Sequence, residues 1–238
     1  MAARLRLGDL AVDVVLKDIK NVHLSVHPPE GRVTISAPKH MNLDTIRVFA
    51  IAKLDWIREQ QGKLREQERE TVREYLDRES HYVWGKRYLL SVTERDQAPA
   101  VALKHSRMIL TVRAGMDEAA KKAIVAKWYR GQIKAVVPEL IAKWEPIIGV
   151  SVNRVFVQQM KTKWGSCNPR AGTIRLNTEL AKKPRECLEY IVVHEIVHLL
   201  ERRHNDRFRA YMDHFMPQWR WHREELARAP LAHEDWRY

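Results

Sequence analysis

The sequence predicts an α+β protein. A helix carrying paired histidines packs on a short β-sheet, and a β-rich N-terminal region and a long charged helix come before it. Three observations carry this reading. Apolar and polar residues partly alternate over the first forty residues and again from 81 to about 113, as in half-buried strands. Helical spacing takes over from Leu43, from Asp117 and from Pro184. Finally, HEIVHLLERRH, residues 194 to 204, sets three histidines and two glutamates into a helical run that is otherwise apolar on its N-terminal side.

In chain order, DVVLKD, NVHLSVHP and RVTISAP read as strands, with a turn at PPEGR. LDTIRVFAIAKLDWIREQQGKLREQERE reads as one helix capped by Asn42, since a side-chain oxygen there can satisfy a free backbone N–H. Its charged second half, from Arg58 to Arg78, is expected to be a solvated bridge. The expected division is therefore an accessory region over residues 1–80 and a second domain over 81–238. HYVWGKRYLLSVTER and VALKHSRMILTVRAG read as further strands. A helix from Asp117 to about Trp144 should bury Ile124, Trp128, Ile133, Val137, Leu140 and Trp144, with Pro138 kinking or splitting it. VSVNRVFVQQM reads as a strand, KTKWGSCNPRAG as a loop and TIRLN as a short strand. Pro184 opens the histidine helix, and another helix follows from about Asp206. No internal repeat or low-complexity segment stands out.

The 238 residues, 45% hydrophobic and 30% charged, describe a globular chain rather than a disordered one. No apolar run reaches the roughly 18–20 residues of a membrane span, and the N-terminus lacks a signal-peptide core. A cytoplasmic location without membrane partners is the expectation. Two cysteines, Cys167 and Cys187, are too few for a disulfide framework and form no CxxC pair. The net charge is +12, and residues 81–180 hold 17 basic against 7 acidic residues. Lys127, Arg130 and Lys134 share a helix face there, and Lys161, Lys163 and Arg170 flank the Trp164 loop. Weak DNA binding without sequence preference is one expectation from this surplus; an ordinary basic surface is the other.

His194 and His198 are four residues apart, so both imidazoles of a helix reach one point. In the HExxH arrangement two neutral imidazoles bind zinc and the glutamate between them, here Glu195, is the general base. His204 stands at the third-ligand offset of the pattern HExxHxxGxxH, but Glu201 replaces the glycine that turns the backbone. The turn must then be made near RRHND, where Asn205 tolerates a left-handed conformation and Asp206 can cap the next helix. His204 is the favoured third ligand; His214, Glu201 and Glu224 are the alternatives. One zinc ion per chain follows. Trp164, Gly165, Ser166 and Cys167 either line a cleft, offering backbone donors to a substrate carbonyl, or form a tight turn on the core. Cys167 as a metal-bound latency switch is a sharper alternative, and Cys187 belongs to the core. Tyr211 and His214 could stabilise a tetrahedral intermediate, though packing is the better expectation for Tyr211. Trp219, Trp221 and Trp236 are expected to pack in the core.

With these residues in view, the chain resembles the YgjP-like metallopeptidases, relatives of the SprT-like and WLM peptidases. The resemblance rests on Trp164-Gly165-Ser166-Cys167, Asn177, Leu180, Pro184, His194-Glu195, His198, and His204 with Phe208 behind it. VHLSVHPPEGRVTISAP, LDWIREQQ and YVWGKRYLLSV stand in the family's order. The resemblance implies a zincin-like domain, with His194, His198 and His204 as zinc ligands and Glu195 as catalytic base. It implies hydrolysis of a protein or peptide substrate. Competing readings are a nucleic-acid-associated protein with a structural zinc, and a metal-dependent amidase acting on a small molecule. Structural zinc usually takes four protein ligands, and the chain offers three convincing ones.

Overall fold

The computed structural model describes residues 2–27, 31–66, 75, 77–160 and 163–228. It is a mixed α+β structure divided into two compact units, Met1–Glu70 and Thr71–Ala229. Among the described residues no helix is long and apolar enough to cross a membrane.

The first unit is one sheet and two helices. Strands β1 (Ala2–Leu7), β2 (Leu10–Lys17), β3 (His23–His27) and β4 (Arg32–Pro38) lie in the order β1-β2-β4-β3. β2 and β4 are parallel, pairing Val12 with Val33 and Val14 with Ile35, and the outer pairs are antiparallel. Those four side chains are buried together with Ile46, Ala50 and Ile57 of the helices. Asn42 caps α1 (Leu43–Ile51) as its residue type predicts, accepting from Thr45 N at 2.8 Å. The expected single helix is in fact two: α1 stops at the cap Ala52, and α2 runs Leu54–Glu66. Their apolar residues continue one helical pattern, so periodicity alone does not reveal the break. Gln61 of α2 donates to Gly31 O at 2.7 Å, and Gly31 has a φ of 74°. A Cβ there would meet Gln61 Cγ at 2.9 Å, so glycine is needed for both reasons. The expected solvated bridge does not reach Arg78 as one helix. Tyr75 and Arg78 have positive φ, and Tyr75 is buried; residues 67–74 and the PPEGR turn's 28–30 lie outside the described residues.

The second unit begins with β5 (Ser80–Val83), β6 (Lys86–Glu94), β7 (Ala100–Lys104) and β8 (Arg107–Val112), in the order β5-β6-β8-β7. This is the arrangement of the first sheet over again: a parallel central pair, β6 with β8, flanked by antiparallel partners. The sequence shows no repeat because only the apolar pattern is common to the two sheets.

Helix α3 (Glu118–Ile148) follows, capped by Asp117 at one end and by the left-handed Gly149 at the other. Pro138 does not split it. Pro138 is exposed, so water can satisfy the carbonyl its missing N–H leaves free. Val125, Tyr129, Ile133, Val137, Trp144 and Ile148 are its buried residues, while Ile124, Trp128 and Leu140 pack at the margin. A second sheet, order β10-β11-β9, contains β9 (Arg154–Gln158), β10 (Gly165–Asn168) and β11 (Thr173–Asn177). β10 corrects the expected loop: GSCN pairs antiparallel with β11 despite having no alternating apolar residues. A 3₁₀ helix, Thr178–Lys182, leads to α4 (Arg185–Val197), α5 (Asp206–Phe215) and α6 (Trp219–Arg228). Trp219 is buried as expected, whereas Trp221 is 57% exposed; Trp236 lies outside the described residues.

Candidate metal centre and its cleft

Helix α4 is braced before it delivers any functional group. Pro184 is its N-cap residue, one position earlier than a first-turn proline. The Trp84-Gly85 turn docks on this junction: Trp84 N donates to Ala181 O at 2.9 Å, and Gly85 N to Lys182 O at 3.2 Å. Gly85 has a φ of 76°, and a Cβ there would stand 3.0 Å from Pro184 Cγ. Along the side of α4, Glu189 accepts from Lys143 Nζ at 2.7 Å and from Trp144 Nε1 at 2.9 Å, both on α3. Leu188, Val192, Val193, Ile196 and Val197 are fully buried, which answers why the motif is embedded in apolar residues.

His194 lies in the last turn of α4, and His198 is its C-cap residue. The chain then turns without a left-handed residue. Glu201 N donates to Val197 O at 3.0 Å, and Glu201 Oε1 accepts from Arg203 N at 3.1 Å. His198 Nδ1 lies 3.0 Å from Glu201 O; a carbonyl only accepts, so Nδ1 carries the proton and Nε2 keeps its lone pair. Asn205 is the N-cap of α5, extended at φ −88°, and accepts from Phe208 N at 3.0 Å. The expectation is corrected at both residues: Asn205 is extended rather than left-handed and is itself the cap, and Asp206 is the first residue of the helix. This turn carries His204 back to α4.

His204 Nε2 lies 3.0 Å from both His198 Nε2 and His194 Nε2. Phe208, buried, sits against all three imidazoles with ring centroids 4.7–4.9 Å apart. Four tetrahedral ligands at about 2.05 Å from a zinc ion stand about 3.3 Å apart, so this convergence fits one ion and leaves a fourth position. Burial and the neighbouring positive groups hold His194 down at about 3, and His198 and His204 are also lowered, mainly by burial. Neutral imidazoles are the form a metal needs. Among the described residues this is the one cluster that could hold a metal ion, and His214, Glu201 and Glu224 are not in it.

Glu195 is 4% exposed, and its Oε2 has no hydrogen-bond partner among the described residues. Burial pushes its carboxyl up to about 8, against the pull of Lys163. Gly165 makes room for it: a Cβ at that position would stand 2.5 Å from Glu195 Oε1. Trp164, Gly165, Ser166 and Cys167 therefore line the cleft, and Trp164 also packs at the core margin under Lys183 Nζ, 5.8 Å above its ring. The Cys167 thiol is raised to about 11 by burial and by Glu195, and it is not a member of the metal cluster. Cys187 is buried in the core. Tyr211 packs against Phe215 and accepts from Arg207, His214 is exposed, and neither lines the cleft.

The cleft measures about 630 Å³. Sequence reasoning missed several of its residues. Tyr190 and Ile191 stand four before His194 and Glu195, a signal helical spacing could have given. Arg202 stands within the histidine stretch itself, in the turn after α4, whereas Arg223 and Leu226 carry no such signal, because α6 reaches the site only through tertiary packing. Asn177 fixes the approach to β10. It donates to Met160 O and Lys163 O, both at 2.8 Å, and accepts from Met160 N and Glu179 N.

The YgjP-like metallopeptidase domain family matches residues 20–229 of the chain. No curated protein matches it. Two solved structures are similar over part of it. One is the metallopeptidase zymogen abylysin of Pyrococcus abyssi, 21% identical, with a TM-score of 0.36 over 38% of this chain and 90% of that one. The other is the metallopeptidase zymogen jannalysin of Methanocaldococcus jannaschii, 20% identical, with a TM-score of 0.34 over 38% and 92%.

Proposed function

The chain belongs to the YgjP-like metallopeptidase family, and from that premise we propose that it is a zinc-dependent peptidase with a zincin-like catalytic domain. Residues 81–238 form that domain, and 1–80 are accessory to it. His194, His198 and His204 hold one zinc ion, and Glu195 is the general base. The observation that carries this reading is the convergence of three imidazole Nε2 atoms beside a buried carboxylate oxygen without a partner among the described residues.

Zinc bound there supplies Lewis acidity, acidifying a water and polarising the scissile carbonyl. The protein's own groups do the rest. Glu195 takes a proton from the attacking water as its oxygen bonds to the carbonyl carbon. It then passes that proton to the leaving nitrogen as the C–N bond breaks. A carboxyl that burial makes more basic suits both transfers. β10 is an edge strand, so its outer backbone groups can pair with an extended peptide in the cleft. Glu195 also favours this reading over a structural zinc, which has no use for a base.

The test is zinc content and hydrolysis of an unfolded protein, measured for wild type, Glu195→Gln and His198→Ala. Glu195→Gln should keep its zinc and lose about 10²–10⁴-fold in rate, the usual worth of general base catalysis. His198→Ala should lose most of its zinc. Wild-type rates in Glu195→Gln, or full zinc in His198→Ala, would overturn the assignment.

A further inference from the structure

Three cations line the cleft, and each comes from a different segment: Lys163 ahead of β10, Arg202 in the turn after α4, and Arg223 on α6. All three are exposed. None of them makes an ion pair among the described residues. Close by, cations are matched. Arg220, three residues before Arg223 on the same helix, pairs with Asp213, Arg209 pairs with Asp206, and Lys143 with Glu189. Among the described residues the one acidic group on the cleft wall is Glu195, and it is buried.

The arrangement is electrostatically costly for a metal centre. Arg223 is near enough for its charge to act on His194, His204 and Tyr190, and that of Lys163 acts on Glu195. Unpaired cations around a site for a divalent cation oppose metal binding. A bound anion at the cleft mouth reverses that balance. It pairs with the cations and leaves the metal site less repelled.

We propose that the Lys163–Arg202–Arg223 rim selects substrates that present a carboxylate close to the scissile bond, with Arg223 as its principal contact. This rests on the peptidase reading above. A guanidinium binds a carboxylate through two parallel N–H donors, and α6 holds Arg223 on a helix rather than a loop. The carboxylate is an Asp or Glu side chain, or the terminal carboxylate of the peptide. Both present the same chemistry to the rim.

The experiment uses the full chain loaded with zinc and a set of internally quenched peptides of one parent sequence. Residues around the cleavage site are Glu, Gln or Lys in turn, and each peptide is made with a free and an amidated C-terminus. The expected ratio of kcat/KM for peptides with the recognised carboxylate over those without it (Glu over Gln, or free over amidated C-terminus) is about tenfold, the scale of a hydrogen bond to a charged group. Lys peptides should be the poorest, and the ratio should shrink as salt rises. In Arg223→Gln the ratio should fall towards one; Arg223→Lys should restore part of it, and Lys127→Gln on α3, away from the cleft, should leave it unchanged. If the Glu peptide is favoured whether or not the C-terminus is amidated, the side chain is the group recognised; if amidation slows Glu and Gln peptides alike, the terminal carboxylate is. Equal kcat/KM for Glu and Gln peptides in wild type, together with no loss on amidation of the C-terminus, would overturn the proposal. So would a preference that survives in the Lys163→Gln/Arg202→Gln/Arg223→Gln protein. Fluorescence anisotropy of the same labelled peptides on zinc-loaded Glu195→Gln separates the two readings. Carboxylate-dependent binding lost in Arg223→Gln upholds the rim even if no peptide is cleaved, and binding indifferent to the carboxylate overturns it.

Discussion

The sheets β1-β2-β4-β3 and β5-β6-β8-β7 have one topology, and each is followed by a helix capped in the same way. Asn42 accepts from Thr45 N at 2.8 Å, and Asp117 from Ala120 N at 2.7 Å. What differs is the helix that follows. α1 stops after nine residues, and its Val48 and Ile51 are exposed. α3 runs for 31 residues, and its far end supplies Lys143 and Trp144, the two donors that hold Glu189 of α4. The same β layer can therefore stand as a small unit of its own or be extended into a support for the helix that carries the paired histidines. The difference lies in helix length and in a few polar ties, not in the sheet.

The largest expected effect comes from breaking the close approach at the centre. Gly165→Ala places a Cβ where Glu195 Oε1 now lies, so the carboxylate must shift. Displacement of a catalytic group by about 1 Å can cost about 10²-fold in rate. The variant should keep its zinc and lose about that much kcat. Wild-type kcat would show that Glu195 has slack. An equivalent close contact exists in the first unit, at Gly31 against Gln61, and substitution there should lower stability without changing kcat.

A matched pair of tie removals sharpens the contrast. Glu189→Ala removes the polar tie between α3 and α4 and leaves the Trp144 N–H without its acceptor, a loss of about 2 kcal/mol. It should lower both Tm and activity, because the helix it holds carries the histidines. Gln61→Ala removes a single bond in the first unit, about 1 kcal/mol, and should leave activity alone. Urea unfolding and peptide hydrolysis on the two variants give the comparison; equal loss of activity would contradict it.

The second unit should also have a stronger pH signature than the first, where among the described residues only His27 is lowered, mainly by burial. His194 is held at about 3 in the folded chain against 6.5 unfolded. The unfolded chain therefore takes up this proton first, and stability falls as pH drops from about 6.5 towards 3. Glu195 works the other way. Folded, it keeps its proton up to about 8, whereas unfolded it ionises near 4.5, so its contribution is lost as pH rises through that window. Thermal unfolding of the metal-free chain should show both limbs. His194→Phe should flatten the acid limb and Glu195→Gln the alkaline one; unchanged limbs would refute the linkage.

The smallest effect concerns the helix surfaces. α2 mixes signs at Asp55, Arg58 and Glu59, whereas α3 sets Lys127, Arg130 and Lys134 on one exposed face. If DNA binds weakly to this face, log K should fall with log salt by about 0.9 per phosphate neutralised. Reversing the three charges on α3 should reduce that slope, while Arg58→Glu on α2 should not. Anisotropy with labelled oligonucleotides over a salt series reads both.

Much of this was legible in the sequence, for a physical reason in each case. The i, i+4 spacing of His194 and His198 and the apolar residues around them are local, and helix geometry converts them directly into shared direction. The caps Asn42 and Asp117 act within one turn, although only Asn42 was read as one. The strands of both β layers show in alternation, but not the common topology of the sheets, because strand order depends on pairing between distant residues. Nor was the strand character of GSCN legible, since β10 exists through its pairing with β11 and not through its own apolar residues. The break at Ala52 and the unbroken α3 at Pro138 were settled by what each backbone group meets around it. The sequence by itself determined which side chains can bind a metal and which can take a proton. Tertiary structure alone decided that the turn at Glu201 returns His204 to the pair, that Gly165 sits against Glu195, and that Arg223 reaches the cleft from α6. These contacts join segments that no period connects, and only packing brings them within reach.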